Sequence, residues 1–223
     1  MGGRVALVAG AGGPLGRATA LSLAEAGFTV VGIDRSEQGL ADGIRAEVGD
    51  PTDPAVARSL VDRIADEVGA PDVLVNTIGA FRLGEVLDAT PEDLRDMVDI
   101  NLGAALWLSQ AAGSHMRRRG SGVIVHVSAR PAVEPTAGMA AYGISKAALA
   151  HLTRLLDLEL HPHGVRVNAV LPQLIDTPRN RTFLTADQLT HAVTPEAIAE
   201  IIAFLVSDAA APISGALLPA YGF

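Results

Sequence analysis

Cysteine is absent from this 223-residue chain. That excludes disulfides, thiolate metal sites and a cysteine nucleophile, and it fits a reducing compartment. Aromatic residues are scarce, with one Trp, two Tyr and five Phe, so the core must be built from Ala, Val, Leu and Ile. Such a core suits buried parallel strands with helices packed closely over them. Basic charge is also short. Seventeen Lys and Arg face 25 Asp and Glu, for a formal net charge of −8, and no extended basic run occurs, which argues against a nucleic-acid partner. No apolar stretch approaches the ~18 residues a bilayer span requires. The apolar run Val5 to Ala9 is too short for a signal core and leads directly into glycines. The prediction is a soluble cytoplasmic protein with no membrane partner. Six histidines are scattered without ligand spacing, and His161 and His163 read as a helix end, so no metal site is predicted.

What is present alternates between strand and helix. Val5 to Ala9 reads as a strand covered on both faces. Gly10-Ala11-Gly12-Gly13-Pro14-Leu15-Gly16 follows, then a helix from about Leu15 to Ala26, a strand from Phe28 to Ile33, and Asp34. Strand, glycine loop, helix, strand and acid form a dinucleotide-binding unit. Glycines let the backbone turn tightly against a pyrophosphate, and the helix start turns its free N–H groups and positive dipole end towards it. Asp34, 18 residues beyond Gly16, is placed to bond ribose hydroxyls. Ser36 to Gly43 is too glycine-rich for a full helix, so Ile44 to Val48 becomes a third strand, with Asp50 placed to meet an adenine amino group. Helices follow from Ala55 to Val68 and from Thr90 to about Arg119. The next runs from near Gly138 through Tyr142 to Leu160, and the last from Pro195 to Ser207. Strands fall at Asp72 to Asn76, Gly122 to Val127, Val165 to Leu171 and Ala216 to Pro219. With no repeat or linker, the chain is predicted to be one domain over 1–223, a doubly wound parallel α/β sheet of about seven strands.

The chemistry centres on Tyr142-Gly143-Ile144-Ser145-Lys146. In a helix, Tyr142 and Lys146 stand one turn apart on one face. A free phenol titrates at ~10, and a nearby ammonium favours the phenolate and brings that value towards the range of general acid–base catalysis. The same five residues also occur as a half-buried Tyr beside a solvated Lys, so the motif needs the rest of the chain to give it meaning.

Taken together, these motifs resemble the short-chain dehydrogenase/reductases over essentially the whole chain. Gly10-x3-Pro14-x-Gly16 stands where that family has its glycine loop, with Pro14 in place of the middle glycine. Asn76-Thr77-Ile78-Gly79 is similar to its Asn-Asn-Ala-Gly. Asn101 matches the helix asparagine that holds a water in the proton relay. Asn168-Ala169-Val170-Leu171-Pro172 and Thr177 match the segment that cradles a nicotinamide, with Gln173 in place of a glycine. The resemblance implies a Rossmann fold and an NAD(P)-dependent oxidoreductase that reduces a carbonyl or conjugated imine on a small to medium ring-containing substrate. It makes Tyr142 the proton donor or acceptor at the substrate carbonyl and Lys146 the residue that lowers its pKa and holds the nicotinamide ribose. The family serine lies 13 positions before the tyrosine, and here that position is Ala129. Either Ser128, one residue earlier, takes its place, or the site lacks that hydroxyl. Ala129, Gly138-Met139 and Asp176-Thr177-Pro178 also resemble the dihydropteridine reductase-like branch.

Cofactor choice follows from charge. Asp34 repels the 2′-phosphate of NADP and favours NAD(H), whereas Arg35 and Arg17 leave NADP(H) as the second choice. A short lid around 178–193, with Phe183 and Leu184 placed to close over a ring, predicts an open pocket. Small-residue faces on the helices from Thr90 and Gly138 predict a homodimer or homotetramer. Two rival functions share this fold: a dehydratase or isomerase using the same tyrosine, and a nucleotide-binding regulatory protein with a silent site.

Overall fold

The computed structural model describes residues 3–182 and 184–222. Seven strands form the sheet: β1 (Val5–Ala9), β2 (Thr29–Asp34), β3 (Arg45–Val48), β4 (Val73–Asn76), β5 (Gly122–Val127), β6 (Val165–Pro172) and β7 (Leu217–Ala220). All pair in parallel, in the order β3-β2-β1-β4-β5-β6-β7. The helices are α1 (Pro14–Glu25), α2 (Pro54–Glu67), α3 (Pro91–Val98), α4 (Ala104–Arg119), α5 (Ala140–Leu160), α6 (Ala186–Thr190) and α7 (Pro195–Val206).

Every residue of β1 and β4 is buried, the reason β1 and the first three residues of β4 read as apolar runs. On one face, Leu7, Ile33, Leu74 and Ile124 pack against α2 and α4. On the other, Val8, Val30, Val75 and Val125 pack against α1 and α7. Strand order reverses between β1 and β4, and this reversal opens a crevice beyond their carboxyl ends where an open α/β sheet takes its ligand.

Local chemistry sets the helix starts. Pro14 opens α1 at its first position, and no acidic residue occupies that first turn, which leaves the positive dipole end unneutralised. Asp53 caps α2 through the Ala55 and Val56 N–H groups. Thr90 and Asp93 cap one another at the start of α3.

The structure departs from the sequence reading at two places. The helix expected to run unbroken from Thr90 to Arg119 is α3 and α4 joined by a wide π-helical turn at Asp99–Gly103. The lid region contains a short helix, α6, which the sequence reading lacks. Its capping box of Thr185 and Gln188 is the signal that would have found it. The expectation for Phe183 lies outside the described residues.

Candidate active site

The glycine loop is shaped by contacts that no side chain would survive. Gly10 has φ +81°, and a Cβ there would lie 2.7 Å from Thr77 Oγ1. At Gly16 a Cβ would lie 2.0 Å from the Gly10 carbonyl, so only glycine lets α1 start against the loop. Gly13 and Pro14 then carry the chain into α1, with Leu15 tucked into the core. Asp34, the last residue of β2, accepts from the Gly12 N–H at 2.9 Å and from the Arg35 N–H at 2.7 Å. Its carboxylate therefore lies against the loop, at one end of a crevice of about 590 Å³. Asp50 lines the same crevice, and bonds from the Thr52 hydroxyl and N–H hold its pKa below the usual carboxylate value. The cradle fits a dinucleotide: close backbone approach, an unneutralised helix start, and an acid at the ribose end.

The Asn76-Thr77-Ile78-Gly79 segment joins this loop to Asn101 and Lys146. The Thr77 hydroxyl donates to the Ala9 carbonyl at 2.8 Å, tying β4 to the glycine loop. Asn76 accepts from the Ile78 N–H at 3.3 Å, while its buried Nδ2 has no hydrogen-bond partner. Gly79 faces Asn101 and Lys146. A Cβ there would lie 3.1 Å from both Asn101 Oδ1 and Lys146 Nζ, so Gly79 keeps the lysine and asparagine open to the crevice.

Asn101 sits fully buried in the π-helical turn. Its amide oxygen accepts from the Ala80 N–H at 2.9 Å, and its Nδ2 donates to the Ala80 carbonyl at 3.1 Å. Nδ2 also donates to Ser145 Oγ at 2.9 Å, and the Ser145 hydroxyl donates to the Tyr142 carbonyl at 2.8 Å. One side chain thus couples the loop after β4, the α3–α4 turn and α5. Only one lone pair on Oδ1 is left for a water.

Helix α5 places Tyr142 and Lys146 one turn apart as predicted, but the electrostatics differ from the sequence expectation. Burial pushes the Tyr142 phenol up to about 12, and burial pulls the Lys146 amine down to about 8. Lys146 Nζ donates to the Val127 carbonyl at 3.0 Å. The ammonium is thus held by a strand end, and desolvation outweighs any lowering of the phenol pKa. The phenol ring packs edge-on against Phe81, with centroids 4.9 Å apart, a contact that no motif announced.

Ser128, offered by the sequence in place of the family serine, has its hydroxyl proton already engaged. Its buried hydroxyl donates to the Lys146 carbonyl at 3.1 Å, because successive strand-end residues point to opposite sides. Position 129 carries only a methyl group, so the site lacks that hydroxyl. Pro172 ends β6, and Thr177 accepts from the Asn180 N–H at 3.2 Å to close the turn that follows. Between them, Gln173 accepts from Arg130 at 2.8 Å. The Arg130 guanidinium also pairs with Glu134 and lies 4.8 Å over the Tyr221 ring. Arg130, Gln173 and Tyr221 line a neighbouring cleft, whereas Arg179 lines the crevice itself; Arg179 went unnoticed because no local pattern marks a wall assembled from distant segments.

A family model described as short chain dehydrogenase matches residues 4–188. The chain belongs to the short-chain dehydrogenase/reductase family. This short-chain dehydrogenase is 35% identical to the 2,3-dihydro-2,3-dihydroxybenzoate dehydrogenase of Escherichia coli (strain K12), over 95% of this chain and 93% of the relative. It is also 35% identical to the galactitol 2-dehydrogenase of Rhizobium johnstonii, over 97% and 93%. Among solved structures it is similar to the ligand-free aldohexose dehydrogenase of Thermoplasma acidophilum. That match has a TM-score of 0.90 and 28% identity, and covers 98% of this chain and 92% of the other. The short-chain dehydrogenase is accordingly an NAD(P)-dependent oxidoreductase acting on hydroxyl and carbonyl groups.

Proposed function

We propose that the enzyme reduces the carbonyl, or conjugated imine, of a small to medium ring-containing substrate, with Tyr142 as proton donor and NAD(H) as the preferred cofactor. The observation that carries this is the meeting of Lys146 Nζ and Asn101 at Gly79, one helical turn from Tyr142. The bound cofactor supplies the hydride. Tyr142 donates its proton to the substrate oxygen; a phenol at about 12 is fully protonated at neutral pH and ready for that direction. Lys146 orients the nicotinamide ribose, and its charge favours the phenolate left behind. With Ala129 in place of the family serine, Tyr142 is the principal hydrogen-bond donor to the substrate oxygen.

Asp34 supports NAD(H), since its carboxylate would repel a 2′-phosphate. Arg17 is held by the Gly39 and Leu40 carbonyls at 3.4 and 3.0 Å, which leaves Arg35 as the nearby cation for NADP(H). A ring-containing substrate agrees with the 2,3-dihydro-2,3-dihydroxybenzoate and aldohexose named for two relatives. Residues 178–193 act as a short lid on a single catalytic domain, and the protein works in the cytoplasm. A second copy covers the outer faces of α4 and α5, where Ile144, Leu155 and Leu158 are exposed. The test is a panel of cyclic ketones, quinones and pterins assayed with NADH and NADPH. Turnover with NADH is expected, and a kcat/KM tenfold higher with NADPH would overturn the cofactor preference. Product formed without loss of absorbance at the nicotinamide band would select a dehydratase or isomerase instead.

A further inference from the structure

The turn leaving β6 is braced before it reaches the crevice. The Asp176 N–H donates to the Val193 carbonyl at 2.9 Å, and Asn180 Nδ2 donates to the Ile175 carbonyl at 2.8 Å. Asp176 also pairs with Arg181, accepting from Nε and Nη2 along one edge of the guanidinium. Pro178 lies in one cleft with Pro14 and Arg17, so the turn passes directly beside the start of α1. The next residue, Arg179, is exposed on the crevice wall with Gly10, Gly12 and Gly13.

Its electrostatic setting is unusual. Arg181 is neutralised by Asp176, whereas Arg179 has no carboxylate partner among the described residues. The crevice wall carries four carboxylates, Asp34, Asp50, Asp96 and Asp99, against two guanidinium groups, Arg35 and Arg179. Arg35 follows Asp34 at the ribose end, and Asp96 is already paired with Arg82. A doubly charged pyrophosphate lodged at the α1 start would sit in a field of acids, with backbone N–H groups and a helix dipole as its other support. We propose that Arg179 is a cationic clamp for the cofactor's pyrophosphate, carried on the lid-side turn rather than on the glycine loop. Guanidinium suits the task because its planar fork meets two phosphate oxygens at once. The braced turn holds the arginine near its bound position, so little ordering is needed on binding. The assignment rests on the nucleotide reading given above.

The experiment measures dissociation constants of NADH, ADP-ribose and adenosine for the full chain and for Arg179→Gln and Arg179→Lys. Nicotinamide fluorescence reports NADH, and saturation-transfer NMR reports the other two. Arg179→Gln is expected to weaken NADH and ADP-ribose about tenfold, the scale of one charge-assisted bidentate contact, and to leave adenosine within twofold. Arg179→Lys should recover part of the loss, and NADH binding should become less sensitive to added salt in the glutamine variant. Unchanged NADH and ADP-ribose affinities would overturn the clamp. Equal weakening of adenosine would overturn it as well, since the arginine would then act through the shape of the turn. Wild-type protein that fails to bind NADH would overturn the nucleotide reading, and it is measured before any variant.

Discussion

Lys146→Met should make the protein more stable while silencing it. Lys146 is 4% exposed, and burial lowers its amine from the ordinary 10.5 to about 8. At ~1.4 kcal/mol for each tenfold change in proton affinity, keeping that charge in the folded state costs roughly 3 kcal/mol. Methionine fills a similar volume without charge, but the Val127 carbonyl that accepts from Nζ at 3.0 Å loses its partner. An orphaned acceptor costs ~1–2 kcal/mol. The net expectation at pH 7 is a gain of roughly 1–2 kcal/mol, or ~2–8 °C in Tm for a chain of this size. The pH dependence follows from the direction of the shift. Below about 8 the amine is charged in both states and the full cost is present. Between about 8 and 10.5 the unfolded chain binds more protons, so wild-type stability rises with pH. The variant's advantage should therefore shrink across that window and reverse above it, where only the orphaned acceptor remains, at a cost of ~1–2 kcal/mol. Urea unfolding without cofactor at neutral and alkaline pH reads both effects. A variant less stable than wild type at pH 7, or an advantage that does not change with pH, would refute the view of Lys146 as a buried, costly charge kept for function.

Tyr142→Phe should lower turnover ~10²–10⁴-fold, the range of a lost general acid, with NADH affinity within twofold; stopped-flow and equilibrium binding separate the two. Gly79→Ala would press a methyl group to 3.1 Å from both Lys146 Nζ and Asn101 Oδ1, so kcat should fall about tenfold, the scale of a small misplacement in a reactive site. Full activity in that variant would show that the lysine is free to move aside. Ala129→Ser should restore a hydroxyl to the substrate oxygen and raise kcat several-fold, and a fall would mean that the buried methyl is required for packing. The phenol of Tyr142 should titrate near 12 in ultraviolet difference spectra of a Tyr221→Phe background. It should titrate lower with NAD⁺ bound, since a positive nicotinamide favours the phenolate.

The fold was legible because its signals are local. The apolar run Val5 to Ala9, the glycines that follow and Asp34 form one contiguous unit, and the caps at Asp53 and Thr90 mark helix starts within four residues. The Tyr142–Lys146 spacing was equally readable, since a helix converts four residues into one turn. What escaped was set by distant groups. The phenol's upward shift comes from burial in the folded chain, which no pentapeptide reveals. The break between α3 and α4 depends on Asn101 reaching Ala80, 21 positions away. Ser128 and Ala129 are adjacent, and only the folded chain shows the Ser128 hydroxyl turned to the Lys146 carbonyl. Arg130, Gln173 and Tyr221 converge from three connections.

The π-helical turn has a consequence for the neighbouring surfaces. It holds one more residue than an α-helical turn would, and each residue advances an α-helix by ~100°. The side of α4 that meets the sheet is therefore out of phase with the side of α3 that leads to it, and Asn101 lies where the two phases are reconciled. A single-residue deletion within Asp99–Gly103 would leave both flanking segments helical, yet swing one of them by more than a quarter turn. The buried amide would then lose its hold on Ala80 and Ser145, so at this point in the chain length is constrained as tightly as residue identity.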